Sequence, residues 1–477
     1  MKKLKLLFLD SSLFRLSYML CLFFCMVMYV YTAAYVVLAL LFIWGAALTV
    51  YTVVKKNIFS KLYLGLWLFA FAAAFFVTVL CNLNDGFYAV IYNVVLFFHV
   101  CICFFIFYGM HTEKIVPFRW ELYLMARIIV YLSTVFTLIG LVLMLFTSGK
   151  FDNYMNYQGV FKGFYINPNH QGYVSVLSII FCHMLTKPNF IINSKQNRVS
   201  RIWLVSCTIL NCTALLLCDS NASLLLLVVY AAVIVIMKFF SMMDNLTPKK
   251  MIVRILLLGG AGLVALSVMM FLRVFCRVGV AAVFSDGGLS AQQIQELSSD
   301  AVFIPTKDSG FTSRWFLWDA GAKIFSQNPV FGIGKGSLLE EIISVTGRTK
   351  FNAQYEGVVR MVFTDLHNGY LSVLVSSGVI GFVLFMAFII RYLMMTFPVW
   401  FLQRKIMTYS IYPCLMAFIV AYLVYALVER TMLFDMTYLV MSFWLILGYT
   451  SCYALDFGYM RRGNYYIFNK KLHKRLI

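Results

Sequence analysis

Six histidines occur in the chain, and two of them, His170 and His367, sit in polar stretches directly before an apolar run. His367 belongs to Asp365-Leu366-His367-Asn368-Gly369-Tyr370, with Asp365 a fair N-cap for the run 371–390. A histidine at such a helix mouth is a candidate general base, and the free N–H groups there also attract phosphate. His170 lies in Asn167-Pro168-Asn169-His170-Gln171-Gly172, which reads first as a turn, although Asn167, Asn169 and His170 would also suit a sugar. Arg314 starts a stretch from Ser313 to Ser326 in which Trp315, Trp318, Ala322 and Phe325 recur on one helical face, with Ser313 as its cap. Its guanidinium can fork onto phosphate oxygens, a role open also to Arg360 and, by hydrogen bonding, to Asn368. Glu429 and Arg430 interrupt the last apolar runs and either pair with each other at a hairpin or join the site. His99 and His183 fall in apolar runs, and His111 and His473 in polar segments, where satisfied or solvated rings are expected. The stretch Asn328 to Gly336 is no P-loop, because Pro329 stands where a glycine is required; a tight turn is expected. The twelve cysteines lie almost entirely in apolar runs, and none makes a Cys/His cluster with metal spacing. No disulfide framework, metal or cofactor is expected.

Most of the chain must serve to hold these groups at a membrane. It has 477 residues, 62% hydrophobic and 12% charged, and a mean hydropathy of +0.86. Soluble domains are nearer 45–50% apolar and about 25% charged. That excludes a soluble enzyme and a secreted disulfide scaffold. Apolar runs at 16–32, 34–54, 62–82, 87–110, 128–147, 173–185, 202–218, 223–240, 255–271, 371–390, 410–428 and 437–453 predict an all-α polytopic membrane protein with about twelve spans. The stretch 202–240 would reach about 58 Å as one helix, too long for a core of about 30 Å, so it must turn at Asp219-Ser220-Asn221.

Placing both termini in the cytoplasm gathers most of the 39 basic residues on that side, including Lys2, Arg15, Lys55, Lys56, Lys187, Lys238, Arg391 and Arg461. The net charge of +20 is therefore a sign of topology, and no nucleic-acid partner is expected. Lys2, Lys3 and Lys5 imitate a signal peptide, but Asp10 and Arg15 interrupt the run, predicting an uncleaved first helix. The organisation expected is membrane helices over 1–274, a large extracytoplasmic loop over 275–370, helices over 371–455 and a basic cytoplasmic tail over 456–477. Within the loop, 290–298 is helix-compatible, and the segment after Ser313 forms an amphipathic helix at the interface.

In order along the chain, NPNHQG, Ser220-Asn221-Ala222-Ser223, SRWFLWDAGAKIFSQNPVFGIGKG and HNGYLSVLVSSGVIGFVLF resemble the O-antigen ligase/polymerase family of bacterial polysaccharide membrane glycosyltransferases. The resemblance covers the C-terminal half. It implies His367 as catalytic base, Arg314 as a ligand of the donor diphosphate, and a polyprenyl-diphosphate-linked oligosaccharide as donor. The family often has Ser-Arg at the turn where this chain has Ser220-Asn221, so Arg360, Lys162 or Arg430 would have to supply the second contact. The function implied is metal-independent, inverting polymerisation of repeat units on the outer face of the cytoplasmic membrane. Membrane lipids are expected partners, together with a chain-length regulator or a flippase. The alternatives are ligase-type transfer to a lipid or protein, and transport of the same lipid-linked sugar. Transport is disfavoured because the sequence shows neither a two-fold repeat nor a helix broken within the bilayer.

Overall fold

The computed structural model describes residues 7–56, 58–112, 115–146, 156–157, 160–187, 200–241, 248–284, 290–301, 310–346, 365–402, 410–462 and 465–468. The fold is a helical bundle with almost no strand. In chain order its helices are α1 (Ser11–Phe24), α2 (Tyr31–Lys55), α3 (Gly65–Cys81), α4 (Phe87–Ile102), α5 (Ile115–Phe146), α6 (Pro168–Leu185), α7 (Arg201–Leu217), α8 (Asn221–Ser241) and α9 (Pro248–Phe284). After them come α10 (Ala291–Ala301), α11 (Gly310–Gln327), α12 (Leu338–Thr346), α13 (Gly369–Leu402), α14 (Tyr412–Tyr425) and α15 (Tyr438–Gly458). Among the described residues two short antiparallel strand pairs join them, 156–157 with 160–161 and 459–462 with 465–468. Among the described residues, 7 helices are long and apolar enough to cross a membrane, and α1, α3, α7 and α14 are shorter apolar helices. In lipid the backbone must satisfy its own hydrogen bonds, which is why these apolar stretches are helical.

Each apolar run has its own helix, but several boundaries move. The 202–240 stretch does turn, at Asp219, which takes a positive φ of 52°. α9 continues to Phe284, past residue 275, where the sequence places the start of the loop. It is almost bare: the side chains of 252–268 are all exposed. α6, α14 and α15 are instead buried along most of their length. Asp10 caps α1, its Oδ1 accepting from the N–H groups of Ser12 and Leu13. Arg15 is no solvated loop charge. It is buried and pairs bidentately with Glu121 at 2.7 Å, while Tyr449 donates to the same carboxylate at 2.8 Å.

Two of the loop helices differ from expectation. α10 opens on a capping box in which Ser290 and Gln293 exchange hydrogen bonds. α11 begins at Gly310, so Ser313 lies inside it and is not its cap. The buried face of α11 is Leu317, Ala320, Gly321 and Ile324, whereas Trp315 and Ala322 point outward. The spacing of Trp315 and Ala322 misled because the packed stripe lies on Leu317, Ala320, Gly321 and Ile324 instead. Ile324 joins Ile333, Leu338, Ile342, Leu366 and Val375 in a satellite core that ties α11, α12 and the mouth of α13 together.

Helix α13 is not continuous. Gly378 has φ 65° and ψ −176°, which breaks it one third of the way along. The backbone of 329–334 lies against the gap: Ile333 and Gly334 donate to the carbonyls of Val375 and Ser376 at 3.1 and 3.0 Å, and Val379 donates to that of Pro329 at 2.8 Å. Gly332, at φ 71°, faces the Val375 carbonyl, so neither glycine has room for a Cβ. The absence of a broken helix argued against a transporter at the level of sequence. A break exists, and loop backbone pairs with it.

Candidate functional site

The first turn of α13 explains how His367 is held. Asn368, and not Asp365, caps the helix: its Oδ1 accepts from Leu371 N–H at 3.0 Å and its carbonyl from Ser372 at 2.9 Å. Leu366 is fully buried, and its carbonyl accepts from the Trp318 indole at 3.0 Å. Pinned on both sides, His367 adopts a positive φ of 45°, a strained conformation for a residue with a Cβ. Gly369 N–H donates to the Ala426 carbonyl at 2.8 Å, which docks this turn on the α14–α15 connection.

That connection carries Glu429, Arg430 and Asp435. Glu429 and Arg430 do not pair with each other at a hairpin; each reaches across to another element. Glu429 Oε1 accepts from Arg314 Nη2 at 3.2 Å, and its Oε2 lies 3.5 Å from His367 Nδ1. Among the described residues His367 Nδ1 has no hydrogen-bond partner, so its contact with Glu429 is one of proximity. Arg314 and His367 thus share one carboxylate.

Asp365 is the second hub. It is buried, and its Oδ2 accepts from Lys335 Nζ at 2.6 Å and from Arg430 at 3.4 Å, while its Oδ1 accepts from Ser372 at 3.1 Å. Burial pushes its carboxyl up, but Lys335 and Arg430 outweigh that and hold it below the ordinary carboxylate range. Asp435 shows the opposite balance: burial, then the charge of Asp365, raise its carboxyl against the pull of Arg430. Arg430 Nε stands 4.0 Å from Asp435 Oδ2, which has no hydrogen-bond partner among the described residues. Lys335 had no functional signal in the sequence, where its glycine-rich surroundings suggest only a turn. The turn is real, and it buries the ammonium beside Asp365.

The Asn167–Gly172 segment divides. Asn167 caps α6 by accepting from His170 N–H at 3.0 Å, and Asn169 accepts from Ser220 at 2.9 Å. The Nδ1 of His170 has no hydrogen-bond partner among the described residues. Lys162 is buried beside Met28, and burial lowers its ammonium. Arg360 and His473 lie outside the described residues, as do Lys2, Lys3 and Lys5. At the Asp219–Asn221 turn two guanidiniums arrive from α9: Arg273 and Arg277 both pair with Asp219, at 2.7 and 2.9 Å. Their positions on either side of the expected loop start at 275 hid them from sequence reasoning.

Residues 206–386 match a family model described as O-antigen ligase. Over this stretch the chain is O-antigen ligase/polymerase-like. The O-antigen ligase-like segment contains Arg314, Lys335, Asp365 and His367, and it ends before Glu429, Arg430 and Asp435. It begins after the Asn167–Gly172 stretch. No curated protein matches the chain.

Proposed function

We propose that the protein is a membrane glycosyltransferase that polymerises polyprenyl-diphosphate-linked oligosaccharide repeat units into a surface polysaccharide. In this reading about twelve helices cross the cytoplasmic membrane, both termini are cytoplasmic, and the mouth of α13 opens on the outer face. The observation that carries it is the shared carboxylate: Glu429 draws Arg314 and His367 together from separate elements.

The chemistry follows from that arrangement. Arg314 transfers its guanidinium from Glu429 to the donor diphosphate and stabilises the leaving charge. Glu429 then accepts the Nδ1–H of His367 and leaves Nε2 free to act as base. The acceptor hydroxyl loses its proton to Nε2 as its oxygen bonds to the anomeric carbon. The bond from that carbon to the diphosphate oxygen breaks on the opposite face, which inverts the centre and releases polyprenyl diphosphate. Ligase-type transfer to another acceptor would use the same groups.

Purified protein given one lipid-linked repeat unit tests the reading, with products separated by size. A ladder is expected, and His367→Ala should remain in the membrane yet form none. A single transfer only to an added acceptor would reassign the protein as a ligase, and no new glycosidic bond would leave a transporter.

A further inference from the structure

The segment 331–337 is held from two sides. One is the gap in α13; the other is the α3–α4 pair, distant in sequence and outside the stretch that matches the family. Thr78 Oγ1 donates to the Phe331 carbonyl at 2.6 Å, and Asn82 Nδ2 to the Gly332 carbonyl at 3.2 Å. Gly336 N–H donates to Asn93 Oδ1 at 2.7 Å, and Ser337 donates to Asp85. Asn93 is fully buried, and Ala89 lies one turn before it on the same face of α4. The approach is close: a Cβ on Gly336 would run into the Ala89 carbonyl, and one on Gly334 into the Asn93 amide. Between these two glycines stands Lys335, whose ammonium reaches Asp365 at 2.6 Å. Asp365 in turn holds Leu366 N–H at 2.9 Å and Ser372 at 3.1 Å, on either side of His367.

We propose that Asn93 is a positioning residue for the transfer, acting through Gly336, Lys335 and Asp365 on the backbone that presents His367. This rests on the sugar-transfer reading above, in which His367 is the base. Without the Asn93 oxygen, the Gly336 N–H is left without its acceptor in a buried place, which drives the turn away from α4. The Lys335 ammonium then withdraws from Asp365, leaving that carboxylate only the longer contact with Arg430. The turn that strains His367 at φ 45° loses its anchor and relaxes. A displacement of about 1 Å at a reacting group can cost about a hundredfold in rate. Arg314 lies off this path, so donor binding is spared.

The test uses the full chain in detergent with the lipid-linked repeat unit as substrate. Asn93→Leu, which lacks the acceptor, and Gly336→Ala, which pushes the turn off α4 from the other side, should each lower kcat about tenfold. Donor KM should stay within twofold. A double-mutant cycle with Lys335→Met separates positioning from a general loss of fold. Since Asn93 acts through Lys335, adding Asn93→Leu to Lys335→Met should lower kcat by less than a further twofold, whereas a loss of fold would compound. If Asn93→Leu does not accumulate, Gly336→Ala carries the same cycle. An unchanged kcat in the single variants, a donor KM that rises with the loss, or a full second tenfold loss in the double variant would each overturn the assignment. His367→Ala decides the parent reading independently. If it turns over normally, sugar transfer at this site fails; if it is inactive while the Asn93 and Lys335 losses multiply, only the positioning role fails.

Discussion

Glu429 places its Oε2 3.5 Å from Nδ1 of His367, while its other oxygen holds Arg314. In the proposed reaction this carboxylate would balance the charge that takes up the diphosphate and orient the ring that takes up the proton. The two tasks are separable by experiment, because removing the charge affects them in opposite directions.

Glu429→Gln should lower kcat roughly ten- to a hundredfold, a part of what a positioned base supplies. Donor KM should stay level or fall, since Arg314 no longer has a competing counter-ion. Steady-state kinetics on the lipid-linked donor checks the split, and a raised donor KM with unchanged kcat would contradict it.

Arg314→Lys keeps the charge but loses the planar fork. A donor KM roughly ten- to a hundredfold higher is expected, and near-normal values would remove Arg314 from diphosphate binding. Thermal unfolding in detergent should hardly change, because the Arg314–Glu429 pair is partly open to solvent.

How much of this was legible in the sequence varies residue by residue. His367 and Arg314 stood out because a polar imidazole before an apolar run, and a guanidinium opening an amphipathic one, are rare in so hydrophobic a chain. The identity of the residue capping α13 was not legible, since Asp365 and Asn368 both satisfy capping preferences and only packing selects Asn368. Lys335 was hidden because its partner, Asp365, is distant in sequence and no local pattern links them. The break at Gly378 was hidden for a related reason: a glycine in an apolar run is ordinary until loop backbone is seen to pair with it.

Lys335→Met should destabilise the protein by about 3 kcal/mol, near the lower end for an orphaned buried charge, because Arg430 still reaches Asp365. In the wild type the Asp365 carboxyl is held low, so its contribution is present above the ordinary carboxylate range and is lost only as pH falls below it. Without Lys335 that loss should begin at a higher pH. Thermal unfolding against pH measures the shift, and superimposable profiles would rule it out.

Asp435→Asn should act the other way. A carboxyl raised in the folded state costs stability at neutral pH, a cost that fades as pH falls and the proton binds. The variant should therefore unfold about 1 kcal/mol later at neutral pH, with the gain shrinking on acidification. A gain that grew on acidification would show the carboxylate to be stabilising instead.

The pairing of 329–334 with the gap in α13 constrains how such proteins can be recombined. A chimaera that imports a relative's outer segment without the matching membrane helix would leave Val375 and Ser376 with carbonyls facing no donor. Exchange of specificity between relatives should therefore succeed only when the segment and the kinked helix are inherited together, as a single unit.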